Sequence, residues 1–567
     1  MNIRKLTSYF LILSFFISCR NEKSGVVATG RFITAENGMV VSAHEESSKA
    51  GIKMLLSGGN AVDAAAATEL ALAVCYPEAG NIGGGGFMLI RMADGAADVI
   101  DYREKAPLKA DRDMYLNENG DVVQGLSTDT HLACGVPGTV AGIIEAHGRY
   151  GKLPFRKVIE PAIELAEKGF RLSRYQANSL NNNRKRFIER NRSRTAFVKD
   201  SLWKEGDILR QPELANTLRR IRDRGKEGFY SGKTAELIVN EMVRGNGLIS
   251  LEDLAAYNPV WRKPLTGIYR NYGVITIPPP SAGGIILLQL LDIAEDYPMK
   301  EMGFHSTEAI HLIIEAEKRV FADRAEYVGD PDFVNVPVKE LLNKTYLRAR
   351  MKDFSSVAAT PSSQVRHGNP FLSEKEETTH YSVVDKWGNA VAATTTLNGS
   401  FGNSIVVEGA GFLLNNEMDD FSSKPGYPNM YGLVGGEANS IKPGKRMLSS
   451  MTPAIITKEN SLFMVLGSPG GSTIPTSVFQ VIINVLDYGM DIRQAVEAGR
   501  FHNQWLPDQT DFEPGLLAEE TISKLKDMGH TIKWRGSLGR VNALTIWPDG
   551  LIHAGADPRG NNSACGY

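Results

Sequence analysis

Residues 61–74 are apolar on nearly every side. A helix at a protein surface keeps one polar face; a helix without one has to be surrounded by core. Asn60 stands before the stretch as an N-cap, Asp63 follows three residues on, and Pro77 lies just past its end, so the pattern predicts a capped helix. The chain then runs through Ile82, four glycines and Phe87 into an apolar, strand-like segment. A helix buried on all sides and feeding a strand requires a large core. The composition supplies one, with 567 residues, 42% hydrophobic and 23% charged. The same figures exclude a disordered chain, a coiled coil and a collagen-like repeat. A net charge of -2 argues against a nucleic-acid binder. The one basic stretch, residues 182–194, reads as a solvated helix face.

Helical periodicity recurs at 139–149, 156–168, 233–244, 306–328 and 474–487. Strand-like runs recur at 381–385, 390–396, 454–457, 462–466 and 542–547. The chain is therefore mixed α and β without an internal repeat. Length alone is compatible with three or four domains.

The N-terminus reads as an export signal. Arg4 and Lys5 precede an apolar run at 9–17, which is too short for the roughly 20 residues a bilayer span needs. Phe16, Ile17, Ser18 and Cys19 follow, resembling a bacterial lipobox with Phe where Leu is usual. The expectation is a signal peptide over 1–19, a lipid anchor at Cys19 and an exported, periplasmic protein; a plain secretory signal is the alternative. The other cysteines, Cys75, Cys134 and Cys565, form no C-x-x-C, and the ten His form no H-E-x-x-H. No metal or other cofactor is expected.

Residues 355–377 are polar and rich in breakers, and read as an exposed linker. Two strand-like runs follow, 378–385 and 390–396, joined by Lys386, Trp387 and Gly388. A three-residue hairpin loop favours Gly at its last, left-handed position. Such a turn makes Asp385 face Asn389. Counting back, Thr378 faces Thr396 if no bulge intervenes, at the roughly 5 Å of cross-strand neighbours. By itself this is also an ordinary Thr–Thr pair in a sheet.

TTHYSVVD (378–385), TTTLNGSFG (394–402), LLNNEMDDFS (413–422), LSSMTP (448–453) and GSPGGS (467–472) together resemble the γ-glutamyltranspeptidase family of the N-terminal nucleophile hydrolases. Upstream, SGGNAVDAA (57–65), GGGGFM (83–88), DYREKAP (101–107), GVPGTVAG (135–142) and PPPSAGG (278–284) match in the same order. The resemblance implies one α+β fold, a four-layer αββα sandwich. It also implies a precursor that cuts itself between Glu377 and Thr378. The products would be a large subunit, 20–377 with the linker 355–377, and a small catalytic subunit, 378–567, intertwined in one fold.

Cleavage has a chemical logic. A free α-amino group has a reference pKa of about 7.7–8.0 and serves as base to its own Thr hydroxyl, whereas an amide nitrogen cannot. The resemblance makes Thr378 the nucleophile, first on the Glu377 carbonyl and then on the γ-amide of glutathione or another γ-glutamyl compound. The acyl group passes to water or to an amino acid or dipeptide. Thr396 positions Thr378. Gly470 and Gly471 supply the oxyanion donors, a role worth roughly 3–4 kcal/mol per donor in related chemistry. Arg103, Ser449 and Ser450 take the α-carboxylate; Asn398, Glu417 and Asp420 take the α-ammonium. Tyr431 lies in a lid loop, 421–448, whose presence favours small γ-glutamyl substrates. The competing expectations are an acylase or poly-γ-glutamate-processing enzyme on the same scaffold, and an uncleaved binding protein. No nucleic acid is expected as a partner, and a membrane only through Cys19.

Overall fold

The computed structural model describes residues 27–367, 377–424, 427, 429, 430 and 437–567, with backbone alone for Glu377 and Thr378. The expected signal peptide, Cys19, the end of the linker and Tyr431 lie outside the described residues.

Two sheets form the centre. The first has eight strands in the order Ala28–Gly30, Ser563–Gly566, Met39–Ser42, Glu377–Val384, Ala390–Asn398, Gly85–Arg91, Ala97–Asp101 and Val260–Arg262. The second has seven, in the order Thr34–Ala35, Ile552–Ala556, Asn542–Ile546, Ser461–Gly467, Ala454–Lys458, Tyr272–Thr276 and Leu265–Tyr269. All neighbours in both sheets are antiparallel. The strand beginning at Glu377 therefore lies in the middle of its sheet, with a partner on each side.

Period-two alternation decides the layers. Along the hairpin, Tyr381, Val383, Val391 and Ala393 pack outward with the helices Ala61–Cys75, Thr139–Tyr150 and Phe155–Lys168. Val384, Ala390 and Ala392 pack inward against Ile455, Val465 and Leu544 of the second sheet. That sheet is covered on its far side by the helices Gly283–Glu295, Thr307–Tyr327 and Thr473–Leu486. The result is an αββα sandwich. Each buried aliphatic side chain contributes about 1.5–3 kcal/mol over exposure. These cores thus outweigh surface pairs such as Lys49–Glu45, worth about 0–1 kcal/mol each.

The helix Ala61–Cys75 is capped as its sequence predicts. Asn60 Oδ1 accepts from the Val62 and Asp63 amides at 3.0 and 3.1 Å, and Asp63 Oδ2 accepts from the Asn60 amide at 2.8 Å. Every residue of this helix is buried, Glu69 included, and burial pushes the Glu69 carboxyl up to about 7.

The glycine run has a packing cause. A β-carbon on Gly84 would lie 2.0 Å from the Thr396 carbonyl oxygen, and one on Gly86 2.4 Å from that of Thr394. Gly86 belongs to the strand Gly85–Arg91, which pairs directly with Ala390–Asn398, and Gly84 immediately precedes it. Gly84→Ala is expected to push these backbones apart and destabilise the fold by about 1–3 kcal/mol or more, read as a lowered midpoint of thermal unfolding.

Two expectations are corrected. The linker is not simply exposed: Ser362 and Val365 are buried. The Trp505 indole donates to their carbonyls at 3.0 and 2.8 Å, and Lys318 Nζ donates to the Thr360 carbonyl at 2.7 Å. The basic stretch is not merely solvated either. Arg190 donates to the Asn403 carbonyl at 2.8 Å and Asn191 to that of Ser404 at 2.9 Å, clamping the loop after Ala390–Asn398. Backbone acceptors brought from over 200 residues away leave no local pattern to read.

Candidate active site

The hairpin turn is the expected one. Gly388 has φ +85°, and the Asp385 amide donates to the Asn389 carbonyl at 3.1 Å. Register follows the count from Val384–Ala390 back to Thr379–Thr395. There it slips, so that Glu377 pairs with Asn398 and Thr378 falls at the irregularity. The expected direct opposition of Thr378 and Thr396 is thus interrupted by a bulge. Bulges bend a strand and re-aim its residues, which is why they recur beside active sites.

Thr396 is buried, and its hydroxyl accepts the Asn398 amide at 2.8 Å. Its carbonyl accepts from Asn81 Nδ2 at 2.8 Å. His380, two residues beyond Thr378, is also buried. Its ring nitrogens meet the hydroxyls of Thr394 at 2.9 Å and Ser382 at 3.0 Å, and burial pushes it down to about 3. A group that so strongly resists protonation is a poor general base, despite its position.

Gly470 and Gly471 follow the strand Ser461–Gly467 and lead into the helix Thr473–Leu486, with φ of +134° and +64°. Their backbone N–H groups bond to no other described residue. A β-carbon on Gly470 would meet Thr473 Oγ1 at 2.5 Å. Two N–H groups at the positive end of a 14-residue helix are suited to a developing oxyanion. Gly470 also lines a cleft of about 290 Å³ together with Tyr76, Tyr175 and Arg540.

The second group of expected residues converges from distant segments. Arg103 follows the strand Ala97–Asp101 and is fully buried. Its guanidinium pairs with Glu417 and Asp420, both from the short helix Glu417–Asp420, and lies 3.4 Å from Glu104. It also donates to the carbonyls of Met447 at 3.4 Å and Leu448 at 3.1 Å. Burial opposes its charge, but Glu417, Asp420 and Glu104 more than offset this and raise its pKa above the ordinary value.

Ser449 and Ser450 come next in the chain. The Ser449 amide donates to the Pro280 carbonyl at 2.8 Å, and Arg324 donates to Ser450 Oγ at 2.7 Å. Asn398 ends its strand with φ +67° and donates to the Asn416 carbonyl at 2.9 Å. Asn398 Oδ1 and Glu417 Oε2 are buried acceptors with no donor among the described residues. The pocket thus combines a guanidinium and hydroxyls with a surplus of buried acceptors, which suits a carboxylate beside an ammonium.

Sequence reasoning missed Glu104 and Arg324 at this site. Glu104 adjoins Arg103 in the same motif and could have been found there. Arg324 sits in an ordinary-looking helix and carried no signal. It also missed a cluster elsewhere, where one ligand atom each from His311, Glu315 and His530 lie within 4.8 Å of one another. These groups already have partners: His311 Nδ1 meets His530 Nε2 at 2.7 Å, and Glu315 accepts from Arg319 at 2.7 Å and from the Thr360 amide at 3.0 Å. Two neighbouring cations, Lys318 and Arg319, disfavour a metal ion there. Cys75, Cys134 and Cys565 are buried free thiols.

An αββα sandwich with a threonine at the bulged start of a central strand is the architecture of an N-terminal nucleophile hydrolase. Residues 47–567 match the Gamma-glutamyltranspeptidase family model. The chain is 46% identical over 533 residues to the glutathione hydrolase proenzyme of Escherichia coli K12, covering 93% of this chain and 91% of that one. It is likewise 46% identical over 539 residues to the glutathione hydrolase proenzyme of Pseudomonas aeruginosa, covering 93% and 94%. Its fold is similar to that of a cephalosporin acylase from Bacillus halodurans, with a TM-score of 0.83 at 27% identity over 99% of both chains. It is also similar to a γ-glutamyltranspeptidase chain from Helicobacter pylori, with a TM-score of 0.57 at 46% identity over 58% of this chain and 94% of that one. This chain belongs to the γ-glutamyltranspeptidase family.

Proposed function

We propose that the chain is a γ-glutamyltransferase with glutathione hydrolase activity, made as a precursor and activated by cutting itself between Glu377 and Thr378. The observation that carries this is the buried pocket of Arg103, Glu417, Asp420 and Asn398, at the end of the sheet where Glu377 pairs with Asn398. Its charges complement the zwitterionic end of a γ-glutamyl compound.

In the first reaction the Thr378 hydroxyl attacks the Glu377 carbonyl, the peptide nitrogen leaves as an amine, and water opens the ester. This frees the α-amino group. In the second, that amine accepts the hydroxyl proton while the oxygen attacks the γ-carbonyl. Gly470 and Gly471 N–H groups hold the negative charge that develops on the carbonyl oxygen. The proton passes to the departing amine, which for glutathione is that of cysteinylglycine. Water or an acceptor amine then takes the γ-glutamyl group from the ester. Thr396 holds the nucleophile, Arg103 with Ser449 and Ser450 holds the α-carboxylate, and Asn398, Glu417 and Asp420 hold the ammonium.

The test has two parts. N-terminal sequencing of the smaller fragment is expected to read Thr-Thr-His-Tyr; one uncut band would support a binding protein instead. The purified protein is expected to turn over a γ-glutamyl anilide and to leave a glutaryl amide largely intact. The acylase reading, which the Bacillus halodurans fold keeps open, requires the reverse.

We also propose export with an acyl anchor at Cys19, supported by the charged, apolar and Cys-terminated order of residues 4–19. No helix among the described residues is long and apolar enough to cross a membrane. Incorporation of labelled fatty acid, lost in Cys19→Ala, is the expected result.

A further inference from the structure

The pocket around Arg103 has two acids more than its one positive charge balances. Glu104, Glu417 and Asp420 surround a single guanidinium, and all four side chains are fully buried. Two ionised carboxylates beside one guanidinium already leave a net negative charge away from water. A third would raise that cost steeply, because like charges at short range in a low dielectric cannot all ionise.

The position of Glu104 shows which acid yields. Its side chain is packed between two glycines: a β-carbon on Gly85 would lie 2.6 Å from its Oε2, and one on Gly135 2.9 Å from its Cβ. It stands 3.4 Å from the Arg103 nitrogen that Glu417 holds far more closely. Glu417 is within hydrogen-bonding reach of both Glu104 and Asp420, but Asp420 pairs closely with the second guanidinium nitrogen of Arg103, whereas Glu104 has no such close cation among the described residues. Glu104 Oε1 and Glu417 Oε2 have no donor among the described residues. Among the described residues, Tyr102, Tyr230 and Tyr257 also lie within range of the Glu104 charge.

We propose that Glu104 is a positioning residue that stays protonated and donates its proton to Glu417, so that Glu417 is held as the ionised ligand of an incoming α-ammonium. Two carboxyl groups in contact need a proton between them to attract rather than repel. Burial and the Glu417 charge both push Glu104 well above the ordinary carboxyl range, and Arg103 reverses this only in part. With the proton on Glu104, Glu417 keeps its pairing with Arg103 and turns its remaining acceptor capacity toward the substrate. Glu104 itself makes no contact with substrate in this scheme. Its effect falls on binding and leaves the chemical step nearly unchanged.

The inference rests on the pocket taking the glutamyl end of a substrate, and the test separates the two claims. Steady-state kinetics with a γ-glutamyl anilide would compare the wild type with Glu104→Gln and Glu104→Leu. Both variants are first checked for two subunits on a gel. Gln supplies a neutral N–H donor of the same shape, so kcat/KM is expected within about threefold of wild type, whereas Leu raises KM about 10- to 100-fold with kcat little changed. One infrared band of a protonated carboxyl, picked out by the wild-type-minus-variant difference spectrum from those of other buried acids such as Glu69 and Glu317, is expected to vanish in Glu104→Gln. It should vanish equally in Glu417→Gln, where Glu104 ionises to take over the pairing with Arg103. A Gln variant as damaged as the Leu variant overturns the proposal, as does a difference spectrum in which Glu104→Gln removes no protonated-carboxyl band. The infrared reading holds even if Glu104→Leu fails to fold. A wild-type protein inactive on every γ-glutamyl donor would instead sink the substrate reading.

Discussion

Thr378→Ala is expected to yield a single uncut chain whose activity on γ-glutamyl donors falls on the order of 10⁴-fold or more. Two losses coincide in one atom. Without the hydroxyl, nothing attacks the Glu377 carbonyl, so the peptide nitrogen of residue 378 never becomes an amine. Without the amine there is no base, and without the hydroxyl there is no nucleophile. His380 is no substitute, since burial holds it near 3 and the hydroxyls of Thr394 and Ser382 occupy both its nitrogens. Thr378→Ser keeps both groups and is expected to restore two bands and measurable turnover. A gel and an anilide assay on the same preparations decide it. Two bands from Thr378→Ala would mean cleavage by another agent and would remove the main support for the mechanism.

The second large effect is expected at Arg103. Its guanidinium reaches two carboxylates and two carbonyls at once from a fully buried position. Lys keeps the charge and loses the planar fork. Arg103→Lys is therefore expected to fold and be cut, but to raise KM for a γ-glutamyl anilide about 100-fold while kcat changes little. Arg103→Leu is more severe, because Glu417 and Asp420 then remain buried as charges without a cation. Breaking a buried pair in this way costs about 3–5 kcal/mol, and the expected result is a sharply lowered unfolding midpoint or uncut, insoluble precursor. If Arg103→Lys lowered kcat and left KM alone, Arg103 would be acting on the reacting centre and not on the substrate's carboxylate.

The bulge at Thr378 bears on both results. A regular hairpin would place residue 378 as one more ladder position between Glu377 and Thr379. The slip to a Glu377–Asn398 pairing removes it from the ladder at the bond proposed to break. The bend falls where the strand reaches the glycine run, whose missing β-carbons let the Thr396 carbonyl approach.

Much of this was readable in short stretches. The Asn60 cap, the Gly388 turn and the helix and strand periodicities depend on residues a few positions apart, and all appear at or near the expected places. The amino acids proposed for the site could also be named, because their types suit the chemistry and their motifs occur in the family's order. Tertiary structure decided the rest. The register slip depends on the strands flanking the hairpin. The pairing of Arg103 with acids more than 300 residues away depends on how the end of the sheet meets the Glu417–Asp420 helix. Arg324 became a partner of Ser450 through helix packing, and the linker residues Ser362 and Val365 are held by Trp505 and Asp508 from a distant segment. Charge state lies furthest from the sequence. Glu69, His380 and Glu104 are ordinary letters whose protonation is shifted by burial and by neighbours from distant segments. Local pattern determines which backbone forms and which chemical groups are present. Desolvation, which decides what those groups do, is a property of the packed whole.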